Sequence, residues 1–288
     1  MLQSSLLPIS RMDSVHAEKI GMRSGFPARR RETVDGHRQA VRKVLDMMRL
    51  NLANPFDLAE LAKIASMSRY HFLRVFEEVT GVSPLRFLAS LRMERAKNLL
   101  LETSQSVTSI CFEVGYNSLG TFTRLFVEHV GVSPLSFRSL PAKLEQSSLM
   151  SLVSGYLERR RPSRSIQTLS GSIRYPEGPN CVSFVGLFET AIPQRKPVDG
   201  TIVMRNGVFN LALPQSSRSY WVLAAGFPAD SGIPESLTLS RADLFVGSCQ
   251  VYCTSKGYVI PHSCELTLRR PDDFDPPILT ALPLLLGV

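Results

Sequence analysis

The chain has no uninterrupted run of eighteen apolar residues, so no segment reads as a membrane-spanning helix. Cysteine is scarce, five in 288 residues, and none stands in the paired C-x-x-C spacing of a zinc site. Neither a metal nor a cofactor is expected. The first thirty-six residues carry Arg11, Asp13, Glu18, Lys19 and Arg29-Arg30-Arg31 but not the continuous apolar core of a secretory signal. A cytoplasmic protein with a poorly ordered basic start (1–36) is expected, with no membrane partner.

What the sequence does hold is 44% apolar residues, enough for two ordinary cores rather than one large one. The net charge of +8 is uneven: residues 1–140 contain nineteen Lys+Arg against thirteen Asp+Glu, and residues 141–288 fourteen against twelve. A basic first half suits a polyanionic partner or a solvated basic surface. Charge does not choose between them. Up to residue 140 the apolar residues recur at helical spacing, as in Val41, Val44, Leu45 and Met48. After residue 166 short alternating or apolar stretches are cut by Gly, Pro, Asn and Ser, which is the pattern of strands. Residues 141–165 between them read as a linker, polar and ending in a basic cluster.

The helical part contains a repeat. FLRVFEEVTGVSPLRF from Phe72 returns as FTRLFVEHVGVSPLSF from Phe122, with ten of sixteen positions identical. Before each copy lies a short helix with a small inner residue, Ala62 or Cys111, then a tight turn and a serine, Ser68 or Ser118, able to cap the next helix. A small residue lets two helices cross closely, and the second helix then protrudes far enough to enter a major groove. Phe72/Phe76 and Phe122/Phe126 supply an inward face, Gly81 and Gly131 a stop, and Ser83-Pro84 and Ser133-Pro134 the next start. Met67 and Tyr116 read as turn-packing residues and His71 as a flank residue. The duplication predicts two helix-turn-helix reading heads for double-stranded DNA.

The segment from about His37 to Arg138 resembles the DNA-binding domain of the AraC/XylS family of bacterial transcription regulators. The likeness rests on GYNSLGTFTRLFVEHVGVSPLSFR, on LAELAKIASMSRYHFLRVFEEVTGVSPLRF, and on RMERAKNLLL as the connecting helix. It covers about a third of the chain and implies a seven-helix fold (37–140) in which one long helix joins the two units. Residue by residue it implies DNA contacts from Arg69, Tyr70, Leu73 and Arg74 in the first unit and from Leu119, Gly120, Thr121, Thr123 and Arg124 in the second. Arginine can bind guanine O6 and N7 in bidentate fashion, and threonine can offer its hydroxyl to phosphate or its methyl to thymine. Leu73, Leu119 and Gly120 could give only apolar or backbone contacts. The competing assignment for each arginine is an ion pair with Glu77, Glu78 or Glu128. The resemblance further implies an activator that meets RNA polymerase.

About seven strands are expected in residues 166–288: Gly171–Tyr175, Cys181–Phe188, Gly200–Val203, Val208–Leu213, Tyr220–Phe227, Leu244–Cys253 and Val259–Leu268. They suggest an antiparallel β-sandwich, so the fold class is multidomain, all-α followed by all-β. The run DGTIVMRNGVFNLALPQSSRSYWVLAAGFP also resembles transthyretin-like or carboxypeptidase-regulatory-like modules in which a strand pair turns through Asn-Gly. Such a region would sense a small-molecule effector or form a homodimer, with Phe184, Tyr220 and Trp221 lining a pocket or filling the core. A ligand-free interaction module is the alternative. A turn at Lys256-Gly257 would set Cys249 opposite Cys264 on neighbouring strands, within reach of a disulfide, although thiols stay reduced in a cytoplasm. Some proteins resembling this family carry a DNA-repair alkyltransferase. That chemistry needs an activated cysteine beside a base, and here only His262 and Lys256 approach one in sequence, so no enzyme is expected.

Overall fold

The computed structural model describes residues 28–144, 149–159, 167–175, 181–214, 216–229, 244–254 and 259–281. Nine helices are defined among them: α1 (Ala28–Leu50), α2 (Leu58–Ile64), α3 (Arg69–Thr80), α4 (Pro84–Glu102), α5 (Val107–Glu113), α6 (Leu119–Val130), α7 (Pro134–Arg138), α8 (Leu140–Leu144) and α9 (Leu149–Arg159). Helix α1 begins at Ala28, inside the stretch 1–36 expected to be a poorly ordered basic start. Its Val41, Val44, Leu45 and Met48, spaced three and four apart, are all fully buried.

Helix α4 is the beam of the helical half. Pro84 occupies its first turn, where the missing N–H costs nothing, and Phe87, Leu88, Leu91, Met93, Ala96, Leu99 and Leu100 are buried along it. Apolar residues around much of its circumference mean that α4 is covered over most of its surface, leaving Leu85, Arg86 and Arg95 exposed. Phe72, Phe76, Phe122 and Phe126 reach the same core from α3 and α6, and each buried ring contributes about 1.5–3 kcal/mol.

Beyond α9 the chain forms strands in two sheets: β1 (Thr168–Arg174), β2 (Cys181–Phe188), β3 (Asp199–Met204), β4 (Val208–Ala212), β5 (Arg218–Pro228), β6 (Phe245–Cys253), β7 (Val259–Ile260) and β8 (Ser263–Thr267). One sheet has the order β4-β1-β8, the other β3-β2-β5-β6-β7. Their facing sides share one core, to which Leu169, Leu211 and Cys264 come from the smaller sheet and Val185, Tyr220 and Val222 from the larger. Alternation along β5 turns Tyr220, Val222 and Ala224 into that core and Trp221, Leu223 and Ala225 to the opposite face.

Three expectations about this half need correction. The pairing is not purely antiparallel, because β8 runs parallel to β1, Gly171 opposite Cys264. The stretch Val259–Leu268 is two strands. Ile260 pairs with Tyr252 of β6, and after Pro261-His262 the chain moves to the other sheet, proline having no N–H to continue the ladder. Cys249 and Cys264 are therefore not hairpin neighbours, yet both are free thiols at the core between the sheets, Cys264 buried in it and Cys249 packed against it. The hairpin tip, 255–258, lies outside the described residues. Finally, β3 and β4 do not turn back on each other through Asn206-Gly207: β3 pairs with β2, β4 with β1, and the segment between them crosses from sheet to sheet.

The two halves are packed together. Val153 of α9, within the expected linker, is buried against Val182, Phe184 and Ile202 of the larger sheet, and Tyr156 Oη donates to Gly200 O at 3.0 Å. The helical core in turn takes in Ala191, Ile192, Phe274, Leu279 and Ala281. Lys97, on α4, is buried with its Nζ donating to Ile278 O at 2.9 Å, and burial lowers its pKa to about 8.

Candidate nucleic-acid interface

Both candidate reading heads are built by the same local devices. In the first, the Asp57 carboxylate accepts from Glu60 N while the Glu60 carboxylate accepts from Asp57 N, a capping box that starts α2. The chain then turns through Ser66 at φ 56°, with Met67 N donating to Ala62 O at 3.0 Å. In the second, Gly115 takes the left-handed position at φ 88°, and Tyr116 N donates to Cys111 O at 3.0 Å. A side chain at Gly115 would strike Ala53 Cα at 2.8 Å and Leu52 O at 2.9 Å, so this turn needs glycine for space as well as for conformation. The turns are not identical in length: Ser68 directly follows Met67, whereas Asn117 separates Tyr116 from Ser118.

The two serines cap the next helices. Ser68 Oγ accepts from His71 N at 3.4 Å and Ser118 Oγ from Thr121 N at 3.3 Å. Ring contacts hold each helix on its inner side, Phe72 edge-on to Phe76 at 5.5 Å between ring centres and Phe122 tilted against Phe126 at 5.8 Å. Gly81 at φ 76° and Gly131 at φ 101° then end α3 and α6 in the left-handed conformation.

What remains outward is the face the sequence singles out. On α3, Arg69, Tyr70 and Arg74 are exposed, Tyr70 at 81%, and Leu73 is half-buried. On α6, Leu119, Gly120, Thr121 and Arg124 are exposed and Thr123 is half-buried. All nine lie at the start and outer side of the two helices that follow the turns. Among the described residues Arg74 reaches only His71 Nδ1, at 3.5 Å, and Arg124 has an i,i+4 ion pair with Glu128 at 3.5 Å. Exposed pairs of this kind contribute about 0–1 kcal/mol, so neither guanidinium is held firmly away from an outside anion.

Arg92 is a residue that sequence reasoning missed. Its Nε donates to Leu52 O at 2.8 Å and its guanidinium to Asn54 O at 2.7 Å, tying the loop before α2 to the connecting helix, and burial lowers its pKa. Arg138 does the same at the far end through Leu100 O at 3.1 Å. Neither had a sequence signal, because their partners are carbonyls remote in the chain. Among the described residues no helix is long and apolar enough to cross a membrane, and no group of three or more His, Cys, Asp or Glu could hold a metal ion.

A helix-turn-helix domain family matches residues 61–139. An uncharacterised transcriptional regulator of Haemophilus influenzae is 40% identical over 85 residues, 30% of this chain and 28% of that protein. The regulator GbdR of Pseudomonas aeruginosa is 33% identical over 33% of this chain and 26% of its own length. The lactose operon transcription activator of Staphylococcus xylosus is 28% identical over 36% and 38% of the two chains. The matches thus span about a third of these relatives. Of the solved structures, the DNA-binding domain of AdpA in complex with target DNA is 30% identical and overlays 38% of this chain and 98% of that one, with a TM-score of 0.36. With two capped turn-helix units on one connecting helix, and a helix-turn-helix family match over residues 61–139 that runs through both, the helical half of this chain is similar to the helix-turn-helix domains of bacterial transcriptional regulators.

Proposed function

We propose that the whole chain is a sequence-specific DNA-binding transcription regulator, acting as an activator that contacts RNA polymerase, and not an enzyme. The observation that carries this reading is the duplicated unit: two capped helices, α3 and α6, each leaving an exposed arginine, Arg74 or Arg124, at the outer face of the same core. Arg69, Tyr70, Leu73 and Arg74 of α3, with Leu119, Gly120, Thr121, Thr123 and Arg124 of α6, are the proposed DNA contacts. The basic balance of residues 1–140 supports the same polyanionic partner.

The two sheets with their common core support a β-sandwich as the second module, residues 166–288, and its role is to sense an effector or to pair two copies of the chain. The activity belongs in the cytoplasm, where DNA and polymerase meet. Selection of bound duplexes from a random pool, followed by mobility-shift titration against unrelated DNA, tests the proposal. A recovered consensus bound about 10³-fold or more tightly than random duplex supports it. Equal affinity for every sequence contradicts it.

A further inference from the structure

The larger sheet is apolar on both faces, and its outer face is only partly covered. Residues of β2 are buried along their whole length, yet Cys181, Val185 and Leu187 point to the core between the sheets while Val182 and Phe184 point outward. Helix α9 covers one end of that outer face through Val153. At the other end Trp221 meets the helical core, its ring 3.4 Å from where a Cβ on Gly81 would lie. Between these two supports a cleft of about 1060 Å³ stays open, at the upper end of the volume of ordinary small-molecule sites.

The walls of the cleft come from different parts of the chain. Its floor is the outer face of the sheet, where Phe188, Trp221 and Gln250 stand side by side on β2, β5 and β6. Its roof is the last turn of α3, Glu77 to Gly81. That helix carries Arg69 and Arg74 at its other end. One rigid element therefore runs from the cleft to the proposed DNA surface.

The charge of the cleft sets the kind of ligand. Five carboxylates line it, those of Glu77, Glu78, Asp199, Asp272 and Asp275, against the three cations Arg38, Lys196 and Arg269. Arg38 is engaged with Asp272 at 3.4 Å, Arg269 with Asp275 at 2.7 Å, and Asp199 accepts from Ala212 N at 2.6 Å. Glu77, Glu78 and Lys196 remain without an ion-pair partner among the described residues, which leaves the wall negative in a chain whose net charge is +8. The C-terminal end of α3 opens onto the same space, and a helix C-terminus carries a partial negative charge that favours a cation. The half-buried Trp221 indole, which lines the cleft, adds attraction of the same sign.

From this geometry we infer that the cleft between α3 and the larger sheet is an effector site for an organic ammonium ion with an apolar or aromatic body, and that its occupancy changes DNA affinity through α3. The apolar body lies on the Trp221 and Phe188 floor, and the ammonium faces Glu77, Glu78 and the α3 carbonyl end. The regulatory half of this inference rests on the DNA-binding reading given above. The ligand site itself does not. Linkage requires reciprocity: if the ammonium alters DNA affinity by some factor, bound DNA alters ammonium affinity by the same factor.

Trp221 is the single tryptophan of the chain, so its fluorescence reports on the cleft alone. The full chain is titrated with benzyltrimethylammonium chloride and, at matched ionic strength, with sodium benzoate. The expected result is a saturable change in Trp221 emission with the ammonium and none with benzoate. Glu77→Gln combined with Glu78→Gln weakens that binding about tenfold, and Lys196→Ala, which removes the opposing charge, strengthens it. Circular dichroism establishes that each variant is folded. Should the paired glutamine variant lose its fold, the Lys196→Ala result and the benzoate control decide the matter alone. A saturable response to benzoate, no saturable response to the ammonium, or unchanged ammonium affinity in folded variants overturns the inference. A mobility shift with and without saturating ammonium separates the two readings. Specific DNA binding without any fluorescence response removes the effector site only, while a fluorescence response in a chain that binds no DNA removes the regulator and leaves the site.

Discussion

The guanidinium of Arg195, from the loop between β2 and β3, pairs with the Glu128 carboxylate of α6, and Arg195 N donates to the carbonyl of His129 beside it at 2.8 Å. The other oxygen of Glu128 faces Arg124 at 3.5 Å. One carboxylate thus stands between an arginine of the strand half and a proposed DNA-reading arginine. Arg195 is about half exposed, so the pair adds at most about 1 kcal/mol to stability. Its larger effect is on Arg124. With Arg195→Ala, Glu128 has only Arg124 to pair with, and DNA affinity should fall with little change in melting temperature. Glu128→Gln should move affinity the other way. Mobility-shift titration at low salt measures both, and identical affinities in all three proteins would separate Glu128 from DNA binding.

Arg124→Ala distinguishes reading from positioning. If the side chain is bidentate to guanine, the variant loses about 1–3 kcal/mol and its preference at one base pair. A phosphate contact predicts an even loss across sequences and a salt slope smaller by about one unit. The base-reading outcome is expected, and it is checked by titrating wild type and variant against a panel of single-base operator changes.

Two glycines of the second head should respond in opposite directions. Gly115→Ala forces a Cβ to 2.8 Å from backbone atoms at a left-handed φ, and should destabilise the fold by more than about 2 kcal/mol. Gly120 lies in the first turn of α6, with only Ser118 Oγ at 3.9 Å from an added Cβ. Gly120→Ala should stabilise by up to about 1 kcal/mol, because alanine lowers the entropy cost of the helix. Urea denaturation of the two variants checks both signs.

Lys97 gives a pH dependence. Burial lowers its folded pKa to about 8 from the ordinary lysine value of 10.5. Between those values the unfolded chain holds a proton that the folded chain has released, so stability rises as pH rises through this window. From pH 7 to pH 9.5 the gain from this group is about 2 kcal/mol. Lys97→Met keeps the volume and removes the titration. Denaturant midpoints at the two pH values should diverge between wild type and variant by that amount, and parallel curves would show that Lys97 titrates normally.

The second head was legible in the sequence because each of its parts is a local signal: Ser118 caps, Phe122 and Phe126 repeat at four-residue spacing, and Gly131 stops. The strands were legible one by one for the same reason. Their partners were not. Nothing near Ser263 says that β8 will pair parallel to β1, ninety residues earlier, and the break at Pro261 was read through as part of one strand, Val259–Leu268. Cys249 and Cys264 come to one core for a reason other than the expected one, since they reach it from different sheets rather than from adjacent strands. Phe274, Leu279 and Ala281 joining the helical core, and Lys97 buried under Ile278, were equally beyond a local reading. Long-range packing selects among surfaces that a sequence pattern describes only one at a time.

The central claim, that one chain reads DNA with two heads on a single domain, is tested most directly by hydroxyl-radical footprinting of the full chain on its selected operator. The account predicts two protected patches on one face of the duplex, in successive major grooves about 34 Å apart, with Arg74→Ala weakening one patch and Arg124→Ala the other. A single patch of a few base pairs that responds to only one of the two substitutions would contradict it.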